Sequence, residues 1–207
     1  MCHQILFVLY HDSIETKFLN EPSIIPINLN KINIGEYQTN QLAESRFFFS
    51  DIAENYNSEY VGIFSYKHNK KFHKLMCLQS LHRLQFQKNV IWAPYVASED
   101  WAYKSEISHS GIMKYIEELA LINNFEMNKK NGVFCNSFLC HMDEYIKFKK
   151  FFVRNFMHFY KKYGYDMEYS GGFKNRHANY FYERFATIYF SNSQLIVKKL
   201  PYKKFFL

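Results

Sequence analysis

Polar side chains able to do chemistry fall where apolar runs of this chain stop. His11 and Asp12, followed by Ser13, come directly after Gln4-Ile5-Leu6-Phe7-Val8-Leu9-Tyr10. Tyr66, Lys67 and His68 follow the run from Glu59 to Ser65 and open a basic segment, KHNKKF. At such positions a histidine or carboxylate can move a proton or hold a divalent cation, and a lysine can offset phosphate charge. A plain turn with a helix cap accounts for His11-Asp12-Ser13 as well. Asn136 interrupts a buried apolar stretch, where an unpaired amide is costly and must find a partner. Glu183 and Arg184 are adjacent on a helical pattern, where an internal salt bridge or a solvated helix start are the structural alternatives. Gly-rich phosphate loops of the dinucleotide and ATPase types are absent, as are HExxH and GxSxG. Of the four cysteines, Cys135 and Cys140 are close, but no second pair completes a zinc pattern, so reduced thiols are expected.

The elements that must position these groups read as alternating strands and helices. Residues 4–10 form a continuous apolar run, expected of a strand covered on both faces. A short strand is expected over residues 23–28, with Pro26 placing it at a sheet edge. A loop with a turn at Gly35 follows. Leu42, Phe48, Phe49, Ile52 and Ala53 recur near helical spacing, and EYVGIFSY then reads as a strand. Residues 75–86 are helical or a helix–strand mixture. Residues 90–95 read as a strand running into a turn, and Ser98-Glu99-Asp100-Trp101 starts a short helix or a lid-like loop. A helix over 111–125 carries Ile112, Tyr115, Ile116, Leu119 and Ile122 on one face.

Residues 132–140 read as a buried strand. The helix over 142–163 lines up Tyr145, Phe148, Phe152, Phe156 and Phe159 on one side and Lys147, Lys149, Lys150 and Arg154 on the other. A Gly-containing connection, a helix over 180–191 and a last strand at 195–197 complete the chain. No internal repeat or linker is evident, so residues 1–207 read as one α/β domain whose part from 142 to 207 is mainly helical. Helix, strand and charged loop in succession is how open α/β folds build a crevice at the carboxyl ends of their strands.

The composition is dominated by rings: 22 Phe and 17 Tyr beside 7 Gly and 4 Pro. An AT-rich genome and a ring-filled core both account for this bias. The net charge is +7, divided unevenly. Residues 1–60 hold eight acids and three bases, and residues 61–207 eleven acids and twenty-three bases. A basic second half suits a phosphate-bearing small molecule, an anionic membrane surface or a nucleic acid. No nucleic-acid-binding module emerges, so nucleic acid is not an expected partner. Neither an export signal nor an apolar run of the ~20 residues that span a bilayer occurs, and a soluble, cytoplasmic protein is expected.

Three patches together resemble a family of small glycosyltransferase-like proteins of bacterial capsular and surface polysaccharide gene clusters, with relatives in large DNA viruses. The first is Asn40, Glu44 and then Glu59-Tyr60-Val61-Gly62-Ile63-Phe64-Ser65-Tyr66-Lys67-His68, similar to a strand that leads into H-Y-R-R in the family. Asn136-Ser137-Phe138-Leu139 with Asp143-Glu144-Tyr145 forms the second. Tyr182-Glu183-Arg184-Phe185 with Ile188-Tyr189 forms the third. Trp101, Tyr103 and His109 are similar to a loop before the family's middle helix. The patches run in order over residues 40–190. Ser65 stands where the family has histidine, and Lys67 and His68 replace its two arginines, losing the bidentate fork.

The resemblance implies a GT-A-like (Rossmann-like) α/β fold with a mixed or mostly parallel sheet flanked by helices. It also implies transfer of a sugar from a UDP-, GDP- or TDP-sugar to a hydroxyl of a polysaccharide, glycolipid or glycan acceptor. Such transfer requires a stabilised diphosphate, a base for the acceptor hydroxyl and a shelf for nucleobase and sugar. On these terms Tyr66, Lys67 and His68 lie next to the diphosphate, with His68 and Glu183 the catalytic candidates. Arg184 is a phosphate or structural partner, Asn136 bonds backbone or sugar hydroxyls, and His11 and Asp12 contact base or ribose. Glu44 is expected to make a structural bond to a neighbouring loop. No Asp-x-Asp occurs, so Mn²⁺ or Mg²⁺ is not required, although His68 with Asp12 or Asp100 offers ligands. A lipid-linked acceptor would bring the protein to the inner face of a membrane. The alternatives are a non-catalytic nucleotide-sugar- or glycan-binding protein, and a basic module docking on membrane or nucleic acid.

Overall fold

The computed structural model describes residues 4–10, 24–37, 40–65, 84–127, 132–133, 136–165, 167–168 and 177–200. Six strands form one mixed sheet: β1 (Gln4–Tyr10), β2 (Ile24–Asn28), β3 (Tyr60–Ser65), β4 (Val90–Ala93), β5 (Phe138–His141) and β6 (Ile196–Lys199). Their order is β2-β1-β3-β5-β4-β6. β1 runs parallel to β2 and β3, and β4 parallel to β6, while β5 is antiparallel to both of its neighbours. Four α-helices are described: α1 (Trp101–Ser108), α2 (Met113–Asn123), α3 (Met142–Tyr163) and α4 (His177–Ser191). This is a mixed, mostly parallel α/β sheet flanked by helices, of the Rossmann-like, GT-A-like class.

Alternation along the strands divides the apolar side chains between the two faces of the sheet. Ile5, Phe7 and Leu9 of β1, Val61 and Ile63 of β3, and Phe138 and Cys140 of β5 join the main core. Leu6, Val8, Tyr60, Phe64 and Leu139 point the other way and pack with Leu84, Phe86 and Leu200. The continuous apolar runs of β1 and β3 thus come from burial on both faces. Gly62 permits the close approach there: a Cβ on it would lie 2.6 Å from a Leu6 methyl and 3.3 Å from one of Leu139. β2 is an edge strand, the position in a sheet where a proline such as Pro26 is tolerated.

The main core is built of rings on α3 and α4. Tyr145, Phe148, Phe152, Phe156 and Phe159 are all buried, as the helical stripe predicts. Phe152 meets Phe48 at 4.8 Å and Phe185 at 5.2 Å between centroids. Asp143 and Glu144 in the first turn of α3, and Lys161 and Lys162 in its last, complement the helix dipole.

Several expectations are corrected by the structure. The segment expected as an amphipathic α-helix is a ten-residue 3₁₀ helix, Asn40–Phe49. Its period of three places Leu42, Ser45 and Phe48 in line, and all three are fully buried. The fifth strand is shorter than expected, beginning at Phe138, because Asn136 and Ser137 precede the ladder. Ile122, expected on the core face of α2, is 44% exposed, and Ala120 is buried on that helix instead. Ser98–Trp101 leads into helix α1. Residues 66–83 and most of the Gly-containing connection after Tyr165 lie outside the described residues.

Candidate functional site

The chain leaves β1 for β2 on one side and then returns to β3 on the other, so the winding reverses between β1 and β3. Open α/β sheets bind ligands beyond the carboxyl ends of strands at such a reversal. The two strand ends are in register there, with Leu9 opposite Ser65. Because β5 is antiparallel to β3, with Phe138 opposite Ile63, its starting residues Asn136 and Ser137 reach the same edge.

Three consecutive residues of the 3₁₀ helix tie this edge together. The Ser65 hydroxyl donates to Glu44 Oε1 at 2.7 Å. Asn136 Nδ2 donates to Ser45 Oγ at 2.9 Å. Arg46, 2% exposed, donates from Nη1 to the Leu29 carbonyl at 3.2 Å. Burial lowers the Arg46 pKa, with Tyr165 opposing, and a guanidinium remains charged under such a pull. A tight 3₁₀ turn makes this possible, since successive side chains fan out by about 120°. Glu44 therefore bonds a strand end and is engaged in further interactions besides, and the Asn136 Nδ2 bonds a serine side chain rather than backbone.

Helix α4 packs against the same 3₁₀ helix. Glu183 and Arg184 are in its interior rather than at its start, the helix beginning at His177. Arg184 is 4% exposed and Glu183 half-buried, so a solvated helix start does not describe them. Glu183 accepts from Asn179 Nδ2 at 2.7 Å, one turn earlier, and both Glu183 and Arg184 are engaged in further interactions. His109 stacks on Tyr180 at 4.2 Å, linking the connection between α1 and α2 to the first part of α4.

Asn136 and Asn179 share one pattern. Each is buried, with its Nδ2 engaged, and the Oδ1 of each has no hydrogen-bond partner among the described residues. Buried acceptors of this kind suit hydroxyl or amide donors of a ligand. Asn179 and Ser45 were not singled out in the sequence. The i, i+4 spacing of Asn179 and Glu183 and the period of three through Ser45 are the signals that point to them.

His11, Asp12, Tyr66, Lys67 and His68 lie outside the described residues. They follow directly, in sequence, the ends of β1 and β3. Asp100 is held on the surface by Lys104 Nζ at 3.0 Å, with its pKa lowered by hydrogen bonds from Ser98 and Lys104. Among the described residues no group of three or more His, Cys, Asp or Glu is placed to hold a metal ion. Cys140 is buried, which raises its pKa and leaves an inert thiol. No described helix is long and apolar enough to cross a membrane.

The fold class finds a counterpart among solved structures. No protein-family model matches the chain, and no curated protein matches its sequence. The chain is similar in fold to the apo structure of WbbM, a bifunctional glycosyltransferase, with a TM-score of 0.59 and 14% identity over 96% of its own length. It spans 44% of that chain, somewhat less than half.

Proposed function

We propose that this chain is a nucleotide-sugar-dependent glycosyltransferase. The observation that carries the reading is the cluster of buried polar side chains at the carboxyl edge of the β1–β3 reversal. It lies within a fold shared with a chain described as a bifunctional glycosyltransferase. The donor is a UDP-, GDP- or TDP-sugar, and the acceptor a saccharide or lipid-linked saccharide hydroxyl. Asn136 Oδ1 accepts from a sugar or ribose hydroxyl, while Ser45 fixes its amide from behind. Tyr66, Lys67, His68 and Arg184 surround the diphosphate, and His11 and Asp12 contact base or ribose.

Glu183 takes the proton of the acceptor hydroxyl as its oxygen attacks the anomeric carbon, and the bond from that carbon to the diphosphate oxygen breaks. Asn179 orients the Glu183 carboxylate by its 2.7 Å hydrogen bond. His68 supports the leaving diphosphate. A divalent cation brought in with the donor would supply further positive charge for the leaving diphosphate.

The test is thermal unfolding against UDP-, GDP-, TDP- and CMP-sugars, each with Mn²⁺, Mg²⁺ or EDTA, followed by a transfer assay with the donor that shifts it. One nucleotide class is expected to raise the melting temperature, because a ligand of the native state stabilises by mass action. Glu183→Gln is expected to keep that shift and lose transfer by at least about a hundredfold, and His68→Ala to weaken the shift as well as transfer, because its side chain is placed at the diphosphate. Full activity in both variants would overturn these roles. Donor binding without transfer by the wild type would favour the non-catalytic reading, for which Lys67 and His68 in place of two arginines argue. No shift with any donor would overturn both.

A further inference from the structure

From Lys147 to Lys162 the exposed charged side chains of α3 are all basic. Asp143, Lys147, Lys150, Arg154, Met157, His158, Lys161 and Lys162 are its exposed positions, spaced at the helical period. Asp143 is taken by Lys88, Lys147 by Glu144, and Lys162 and His158 by Glu118. Lys150, Arg154 and Lys161 have no acidic partner among the described residues. Arg154 is instead fixed by Asn123 Oδ1 at 2.6 Å, which holds the guanidinium beside α2 while leaving its charge uncompensated.

Two sets of contacts set the register of α2 against α3. Glu118 meets His158 and Lys162 at one level, and Asn123 meets Arg154 and Asn155 at the next. The helices are therefore antiparallel, and Leu121 falls level with Met157 between the two rungs. Leu121 is 81% exposed, Met157 41% and Ile122 44%. Leu121 and Ile122 on α2 and Met157 on α3 are thus exposed apolar side chains, with Lys150 and Arg154 before Met157 along α3 and Lys161 and Lys162 after it. Glu117, one turn before Leu121, marks the edge of the patch.

We infer that this α2–α3 face docks on an anionic lipid surface. Cations around projecting aliphatic groups match a layer in which phosphates and acyl chains lie a few ångströms apart. Single-stranded nucleic acid calls for exposed rings on which bases stack, whereas the rings Phe148, Phe151, Phe152, Phe156 and Phe159 of α3 are all buried. The inference does not depend on the transfer reaction, because no residue of the polar cluster at the strand ends belongs to this face.

The experiment is co-sedimentation of the purified chain with vesicles of phosphatidylcholine, with and without phosphatidylglycerol, over a salt series. Binding is expected only with phosphatidylglycerol, and should weaken as salt rises. Removing three surface cations in K150Q/R154Q/K161Q should lower partitioning about a hundredfold, since each is worth roughly a factor of five. L121S/M157S should lose the binding that remains at higher salt. All five positions are exposed, and circular dichroism with the thermal midpoint checks that both variants fold. Lack of wild-type binding to phosphatidylglycerol vesicles would overturn the inference. So would wild-type-like binding by L121S/M157S, or equally tight binding of duplex DNA through the same three cations. Donor-induced stabilisation is expected to be unchanged in both variants, which separates failure here from failure of the transferase reading.

Discussion

Glu44 and Ser65 stand in different parts of one patch of the sequence, and folding makes them a hydrogen-bonded pair. A hydroxyl donating to a carboxylate at 2.7 Å is a charge-assisted bond, and here it fastens the end of the central strand to the 3₁₀ helix. Ser65→Ala is expected to cost about 1–2 kcal/mol in urea unfolding, because the partly buried Glu44 loses a donor. Combined with Glu44→Ala in a double-mutant cycle, it should show a coupling of about 1 kcal/mol. Additive costs would mean that the bond contributes nothing to the pair. The serine holds the strand end through a donated hydrogen bond and brings no positive charge to it.

Packing between helices and loops sets the next set of expectations. Gly132 passes so close to α4 that a Cβ there would lie 2.4 Å from the Thr187 carbonyl oxygen, a backbone atom. Gly132→Ala must displace either the loop or the helix, and is expected to destabilise by about 1–3 kcal/mol; an unchanged urea midpoint would show that the contact yields freely. Between α2 and α3, burial pushes the Glu118 pKa up, yet hydrogen bonds from Tyr163, Lys162 and His158 outweigh it and hold the carboxyl below its ordinary 4.5. A carboxyl depressed on folding stabilises the native state above the ordinary value, and that contribution is lost as pH falls through the depressed one. The melting-temperature gap between wild type and Glu118→Gln should therefore be steady near neutrality and narrow below about pH 4.5. A gap that does not change with pH would assign the contact to packing alone. Elements whose period decides their burial were legible in the sequence: β1 as a two-sided strand, β3 as a short apolar strand, β2 as an edge, and the ring stripe of α3. The 3₁₀ helix was not, because five apolar residues fit a 3.6-residue period almost as well as the period of three that buries Ser45. The start of β5 and the exposure of Ile122 depend on which neighbour each meets, and that is a property of the assembled layers. His11, Asp12, Tyr66, Lys67 and His68 were found by their place after apolar runs, whereas Asn179 acquires meaning only from Glu183 one turn along a buried helix.

Two surfaces of the molecule are set apart by the sheet and its helices. One is the carboxyl edge at the β1–β3 reversal, where Glu44, Ser45, Ser65 and Asn136 lie. The other is the outer face of α3 with its uncompensated cations. If the first surface binds the donor, the consequences should be local, because β1 and β3 are already paired on both sides and covered on both faces. In ligand-free protein their amides should exchange slowest, through rare opening of much of the fold, and those of β6, an edge strand with Ile196 49% exposed, much faster. Donor binding should then slow exchange in segments that are only moderately protected at the outset: residues 43–46 in the 3₁₀ helix, 136–137 before β5, and the first half of α4 around Asn179 and Glu183. Hydrogen exchange followed by mass spectrometry, with and without the nucleotide sugar that shifts the melting temperature, reads all of these at once. Protection confined to those segments, with α3 unchanged, would support a donor site at the strand ends that works independently of the basic face. Protection centred on Lys150, Arg154 and Lys161 would mean that the nucleotide binds there as a polyanion. In that case the reaction proposed for Glu183 would have no substrate beside it.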